Sequence, residues 1–164
     1  MMRSGHTVTV LLTAFCVLFG ALPLAADTVL VHVHGDTSAL SREAAVTPGT
    51  TAFEDGLMIP LFEHGHIVFN LVDDGEPLDV DTARVVGLAE GVDWVVLVQL
   101  HFVPTNGAAR IDRASYAIVP VSEAQDALQG SFARDVFEPR RGETATAAIQ
   151  RVGRLLAGTM LNEI

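Results

Sequence analysis

No lysine occurs anywhere in this chain, and its ten basic residues, all arginine, face 20 acidic ones. The formal net charge is −10. That balance argues against nucleic acid as a partner and against long-range attraction to an anionic lipid surface. Cys16 is the only cysteine, so no internal disulfide can staple the fold, which must be held by its core. Repeats and low-complexity blocks are missing too. The serines at 38, 41, 115, 122 and 131 stand in no Gly-x-Ser-x-Gly elbow. The glycines form neither a phosphate loop nor a dinucleotide fingerprint, and no His-Glu-x-x-His helix is present. The motifs therefore point to no enzyme class.

What is present first is an address. Met1 to His6 is short and positively charged, and an apolar run follows from Val8 to Leu24. The run ends Leu22-Pro23-Leu24-Ala25-Ala26-Asp27, with two small residues before a polar one. This reads as a cleavable secretory signal peptide over residues 1–26, with cleavage after Ala25 or Ala26. It is shorter than the roughly 20 apolar residues of a good membrane span, although an uncleaved anchor is the competing reading. Phe15 before Cys16 and Val17-Leu18-Phe19 after it do not suit a lipid anchor. Cleavage would remove Cys16 and leave no stable membrane anchor. Residues 27–164 are expected to form a single domain.

Within it, Thr28 to His34 is a β-branched run stopped by Gly35-Asp36, and predicts a first strand. A short helical turn is expected at Leu40 to Ala45. Phe53, Leu57, Leu61 with Met58 and Phe62 predict a helix over Thr51 to His64, capped by Thr50 or Thr51, with Glu54 and Asp55 in its first turn. Pro60 should kink it and Gly65 end it. His66 to Val72 predicts a second strand. Asp79 or Asp81 should cap a helix over Thr82 to Glu90, stopped by Gly91, with Ala83, Val86 and Ala89 or Val85 and Leu88 inward. Val92 to Val103 is apolar on both faces, as a central strand should be. The turn signal Thr105-Asn106-Gly107-Ala108 predicts an antiparallel return over Ile111 to Val121. One more strand is expected at Gln129 to Val136, then an amphipathic helix from Glu143 to Asn162. The class is α/β, order β-α-β-α-β-β-(β)-α, with a mainly parallel sheet and an antiparallel edge.

The segments Leu61-Phe62-Glu63-His64-Gly65-His66-Ile67-Val68, Leu88-Ala89-Glu90-Gly91-Val92-Asp93-Trp94-Val95-Val96 and Ala114 to Val121, followed by the terminal helix, carry a resemblance. Helix stops followed by apolar strands in this arrangement resemble a group of bacterial envelope domains. They are the curli-secretion channel subunit, the lipoprotein activators of penicillin-binding proteins, and the N-terminal domain of the Tol-Pal translocation protein TolB. The resemblance implies a binding or assembly module rather than an enzyme. The chain departs from the group in lacking a lipid-anchor cysteine and in its two first-strand histidines.

Five histidines lie beyond residue 26: His32, His34, His64, His66 and His101. His32 and His34 share one face of a strand. If the third strand lies beside the first, His101 comes close to His34, with Gln99 on the same face. Three neutral imidazoles could then bind Zn²⁺ or Cu²⁺; otherwise they line a half-exposed sheet face. His64 and His66, at the start of the second strand, are expected at the other end of the sheet. Asp73 to Asp81 is rich in carboxylates, but its spacing does not match a calcium loop. Arg140-Arg141 could meet an anion, or be a solvated loop.

The sequence thus points to an exported accessory or protein-interaction module, in the periplasm of a Gram-negative-type bacterium, with another envelope protein as partner. The alternatives are a periplasmic metal-binding protein using His32, His34 and His101, and an unrecognised hydrolase.

Overall fold

A computed structural model describes residues 26–40, 47–72, 75–105, 108–122 and 125–164. The signal segment with Cys16, most of the expected turn at Leu40 to Ala45, Asp73-Asp74 and Asn106-Gly107 lie outside the described residues. The chain runs β1 (Thr28–Asp36), α1 (Thr47–Glu63), β2 (Ile67–Asn70), α2 (Val80–Glu90), β3 (Trp94–Thr105), β4 (Ala108–Pro120), β5 (Leu128–Ala133), a 3-10 turn (Arg134–Phe137) and α3 (Ala145–Met160). The sheet order is β2-β1-β3-β4-β5. β1 is parallel to β2 and β3, β4 is antiparallel to β3, and β5 is antiparallel to β4. This is the α/β class that the sequence predicts, with β1 and β3 adjacent.

The sheet is covered unequally, and the alternation within β3 shows how. Val96, Val98 and Leu100 face one side, where Phe53, Leu57 and Leu61 of α1 and Val152, Leu156 and Met160 of α3 complete the main core. Val95 and Leu97 face the other side, with Ala83 of α2 and Val119 of β4. On the main side α1 and α3 meet almost backbone to backbone: a Cβ on Gly56 would lie 2.1 Å from the Gln150 carbonyl oxygen. On the other side Gly87 of α2 sits against Val95 and Val121.

α2 is well punctuated. The Asp79 carboxylate accepts the Thr82 N–H at 2.7 Å, a bond that holds the carboxyl below its ordinary range. Gly91 ends the helix at φ 68°, a left-handed conformation natural to glycine. Its inward residues are Ala83, Gly87 and, partly, Val86; Val85 and Leu88 point to solvent. At about 1.5 Å per residue, eleven residues span about 16 Å. The twelve residues of β3 span about 40 Å. One short helix therefore does not span this face, and the polar side chains lie beyond it, beside the segment Pro77 to Val80.

Several boundaries move. α1 begins at Thr47, so Pro48 falls in its first turn, where a fixed φ and a missing donor are harmless; Glu54 and Asp55 are not in that turn. Phe62 does not join the core but stands 70% exposed. β2 stops at Asn70 instead of reaching Val72, and β5 gives way to the 3-10 turn at Arg134. Among the described residues no helix is long and apolar enough to cross a membrane.

Candidate functional site

Strand register builds the site as three rows across the α2 side of the sheet. His32, Leu97, Ala117 and Gln129 form the first row. His34, Gln99, Ser115 and Ser131 form the second. Asp36, His101 and Arg113 form the third. Because the side-chain period of a strand is two, the register that aligns one row aligns all three on one face. Over the first two rows lies a groove of about 260 Å³, walled by Pro77, Leu78, Asp79 and Val80 from the approach to α2.

His32 is the most buried polar residue of this floor, 2% exposed. Its ring lies nearly parallel to that of His34, centroids 6.5 Å apart and planes 18° apart. Among the described residues neither ring nitrogen of His32 has a hydrogen-bond partner.

His101 lies one row further on and is fully engaged. Its Nδ1 is 3.1 Å from Asp36 Oδ2. Arg113 Nη2 lies 3.4 Å and Ser115 Oγ 3.5 Å from its Nε2. These neighbours fix the tautomer. A carboxylate only accepts, so Nδ1 carries the hydrogen; a guanidinium only donates, so Nε2 is the acceptor. Asp36 is itself held by the Ser38 backbone N–H on Oδ1 at 3.0 Å. That bond first, and His101 after it, keeps the Asp36 carboxyl below its ordinary range. The β3–β4 register shifts between His101 and Phe102, an irregularity of the kind that re-aims a side chain.

The three histidines expected as a metal set are thus divided. His32 and His34 are adjacent, but His101 is turned to Asp36. Zinc holds imidazole nitrogens at about 2.0–2.1 Å, so two ligands of one ion lie within about 4.2 Å of each other. Nearly parallel rings with centroids 6.5 Å apart cannot share an ion unless one turns. Among the described residues no group of three or more His, Cys, Asp or Glu side chains is placed to hold a metal ion. His64 and His66 lie at the opposite end of the sheet, as expected. His64 donates its Nδ1–H to the Pro60 carbonyl at 2.7 Å, and His66 lies 3.9 Å from Asp27.

No protein-family model matches the chain, and no curated protein matches it in sequence. Solved structures resemble it loosely. A dodecamer of a PelC variant from Paraburkholderia phytofirmans is 8% identical, with a TM-score of 0.41 over 80% of this chain and 86% of that one. The lipoprotein GNA1162 from Neisseria meningitidis is 14% identical, with a TM-score of 0.40 over 84% of this chain and 96% of that one. The protein XCC0632 from Xanthomonas campestris is 14% identical, with a TM-score of 0.38 over 88% and 93%. Likenesses at this level leave function to be argued from the chain's own residues.

Two features escape sequence reading. One is the Asp36–His101–Ser115 chain of contacts. Its residues share strand parity, but only the register of three strands brings them together. The other is the outer edge of the sheet. Ile67 and Phe69 on β2, Val72 beyond it, and Ile59 and Phe62 on the second half of α1 are all exposed. Only His64, Gly65 and His66 separate α1 from β2.

Proposed function

We propose that this chain is an exported accessory module of a bacterial cell envelope, and that it binds another envelope protein by accepting an extended segment along β2. The observation that carries the reading is the open, apolar edge. β2 is the end strand of the sheet. The Ile67 N–H donates inward to Asp27 O at 3.0 Å, and the Leu71 N–H to Val31 O at 2.7 Å. Alternate residues of a strand point their N–H and C=O to opposite sides. Val68 and Asn70 therefore turn theirs outward, where a further strand would pair. Ile67 and Phe69 flank that line and are half exposed, so they would pack against alternate side chains of the added strand. Natural edges are usually blunted by lysine, proline or a bulge; Ile67 to Asn70 has neither lysine nor proline. The opposite edge, β5, reads Leu-Gln-Gly-Ser-Phe-Ala and is more polar. Residues 1–26, read as a signal peptide, support export to the periplasm.

A photo-crosslinker placed at Asn70 in the native cell tests this. The reading expects one envelope protein to be captured through an extended segment. It expects no such adduct from Arg154, which is exposed on α3, and loss of the Asn70 adduct when Phe69 becomes Lys. Equal capture from both positions, or a second copy of this chain in the adduct, would contradict it. The orphaned nitrogens of His32 favour a second reading, in which one ring turns and His32 and His34 hold Zn²⁺ or Cu²⁺. A Zn²⁺-dependent rise in melting temperature, lost in His32→Ala, would support that reading.

A further inference from the structure

We propose that Ser115 is an activated nucleophile, with His101 as its base and Asp36 as the residue that positions His101, and that the groove beside it accepts small carboxylic esters for hydrolysis. This inference goes beyond docking and does not rest on it. Asp36 holds the hydrogen on Nδ1, so His101 presents an unprotonated Nε2, whose lone pair is reached by Arg113 Nη2 at 3.4 Å and by Ser115 Oγ at 3.5 Å; Ser115 takes it when Arg113 turns to the substrate. That spacing is long for a hydrogen bond, but nucleophile–base contacts are commonly loose before substrate binds. Asp36 has its own anchor in the Ser38 N–H, so the imidazole is oriented by a carboxylate that is itself oriented. The three groups together have the roles of an acid–base–nucleophile relay.

Ser115 opens into the groove of about 260 Å³, which His34, Gln99 and Leu97 also line. The volume lies just under the range of about 300–1,000 Å³ that holds drug-sized ligands, which suits a short acyl group. Ser115 pairs with Gln99 on one side and Ser131 on the other. Its backbone belongs to the sheet ladder and cannot form an oxyanion hole. The donors for a developing oxyanion must be side chains. Gln99 is its cross-strand partner, and Arg113 lies two residues away on the same face.

The chemistry balances without a cofactor. Oγ attacks the ester carbonyl carbon, the O–C bond forms, and the Oγ proton passes to Nε2 of His101. The bond to the alcohol oxygen then breaks, and the leaving alkoxide takes that proton. Water, giving its proton to His101, attacks the acyl-serine and releases the carboxylic acid, and Ser115 recovers its proton.

The test uses the intact folded protein and an alkyl phosphonofluoridate. Ser115 Oγ would displace fluoride from phosphorus, leaving one stable adduct that peptide mass mapping assigns. Wild type and Ser131→Ala should label at Ser115, and Ser115→Ala should not. His101→Gln should label about 100-fold more slowly, the lower end of what a positioned general base contributes. Asp36→Asn should slow labelling at least about tenfold, because it favours the wrong tautomer. Melting curves verify that each variant is folded. Hydrolysis of p-nitrophenyl acetate should rank the variants in the same order. No adduct at Ser115 in folded wild type, or a labelling rate indifferent to His101→Gln in a variant that still melts cooperatively, would overturn the proposal.

Discussion

Changing Gly56 to alanine adds one methyl group at the point where α1 and α3 cross. The new Cβ would stand 2.1 Å from the Gln150 carbonyl oxygen and 2.8 Å from its carbonyl carbon and Cα. These are backbone atoms of a packed helix, so no rotamer change relieves the clash, and the helices must part by nearly an ångström. Gly153 approaches α1 just as closely, its Cβ position 2.5 Å from the Phe53 carbonyl oxygen, so α3 cannot tilt freely to make room. Alanine gains about 1 kcal/mol over glycine in helix propensity. Overpacking costs about 1–3 kcal/mol, and a backbone clash belongs at the upper end. The net expectation is a loss of about 2 kcal/mol. Gly158 supplies the control: it lies in α3, the helix that Gly56 packs against, and a Cβ there meets nothing within 4 Å. Gly158→Ala should gain about 0.5–1 kcal/mol. The same chemical change thus takes opposite signs at two helical sites. Urea melts of both variants read the difference from their midpoints at unchanged slope. A Gly56→Ala protein as stable as Gly158→Ala would refute the close crossing.

In the central strand, Val96 is fully buried. An unpaired charge there costs several kcal/mol against a total of about 5–15, so Val96→Asp should yield no cooperative melt; a melting point within a few degrees of wild type would sink the core assignment. Asp36 sets an acid limit. Its folded-state carboxyl lies below the usual value of 3.8, so its stabilisation is complete above that pH and lost as pH falls through the lower folded value. Between pH 5 and pH 2, melts of wild type should therefore fall further than those of Asp36→Asn; parallel curves would count against the Ser38 and His101 contacts. Zn²⁺ should leave the melt of wild type unchanged. A rise lost in both His32→Ala and His101→Ala would require the sheet face to rearrange around a metal. Asn70→Pro removes only an outward N–H, so it should block docking and leave the melt within a few degrees of wild type; loss of fold would mean that β2 is paired on both sides.

The fold was legible wherever a local signal was strong. Gly91 and Gly65 stop helices, and both adopt positive φ. The apolar run from Trp94 to Leu100 could only be a strand covered on two faces, and it is. Legibility failed where the deciding partner is far away in sequence. Thr50 or Thr51 looked like the cap of α1, but the helix begins at Thr47, because Pro48 is well placed in a first turn. Phe62 follows the helical spacing of the core residues, yet it faces solvent, since hydrophobic periodicity does not separate a buried face from an exposed apolar one. The histidines showed the right parity for a shared face. Only the β1–β3 register placed Asp36, rather than His34, opposite His101. Ser115 sits in no motif because its neighbours come from two other strands.

Amide hydrogen exchange along β2 tests the docking account most directly. In the isolated protein Ile67, Phe69 and Leu71 should be protected by β1, while Val68 and Asn70, whose N–H groups face outward, should exchange fast. In the complex with the protein captured through Asn70, Val68 and Asn70 should become protected, as a new strand takes up their hydrogen bonds. If both amides still exchange fast in that complex, the partner does not add a strand at this edge, and the account is wrong.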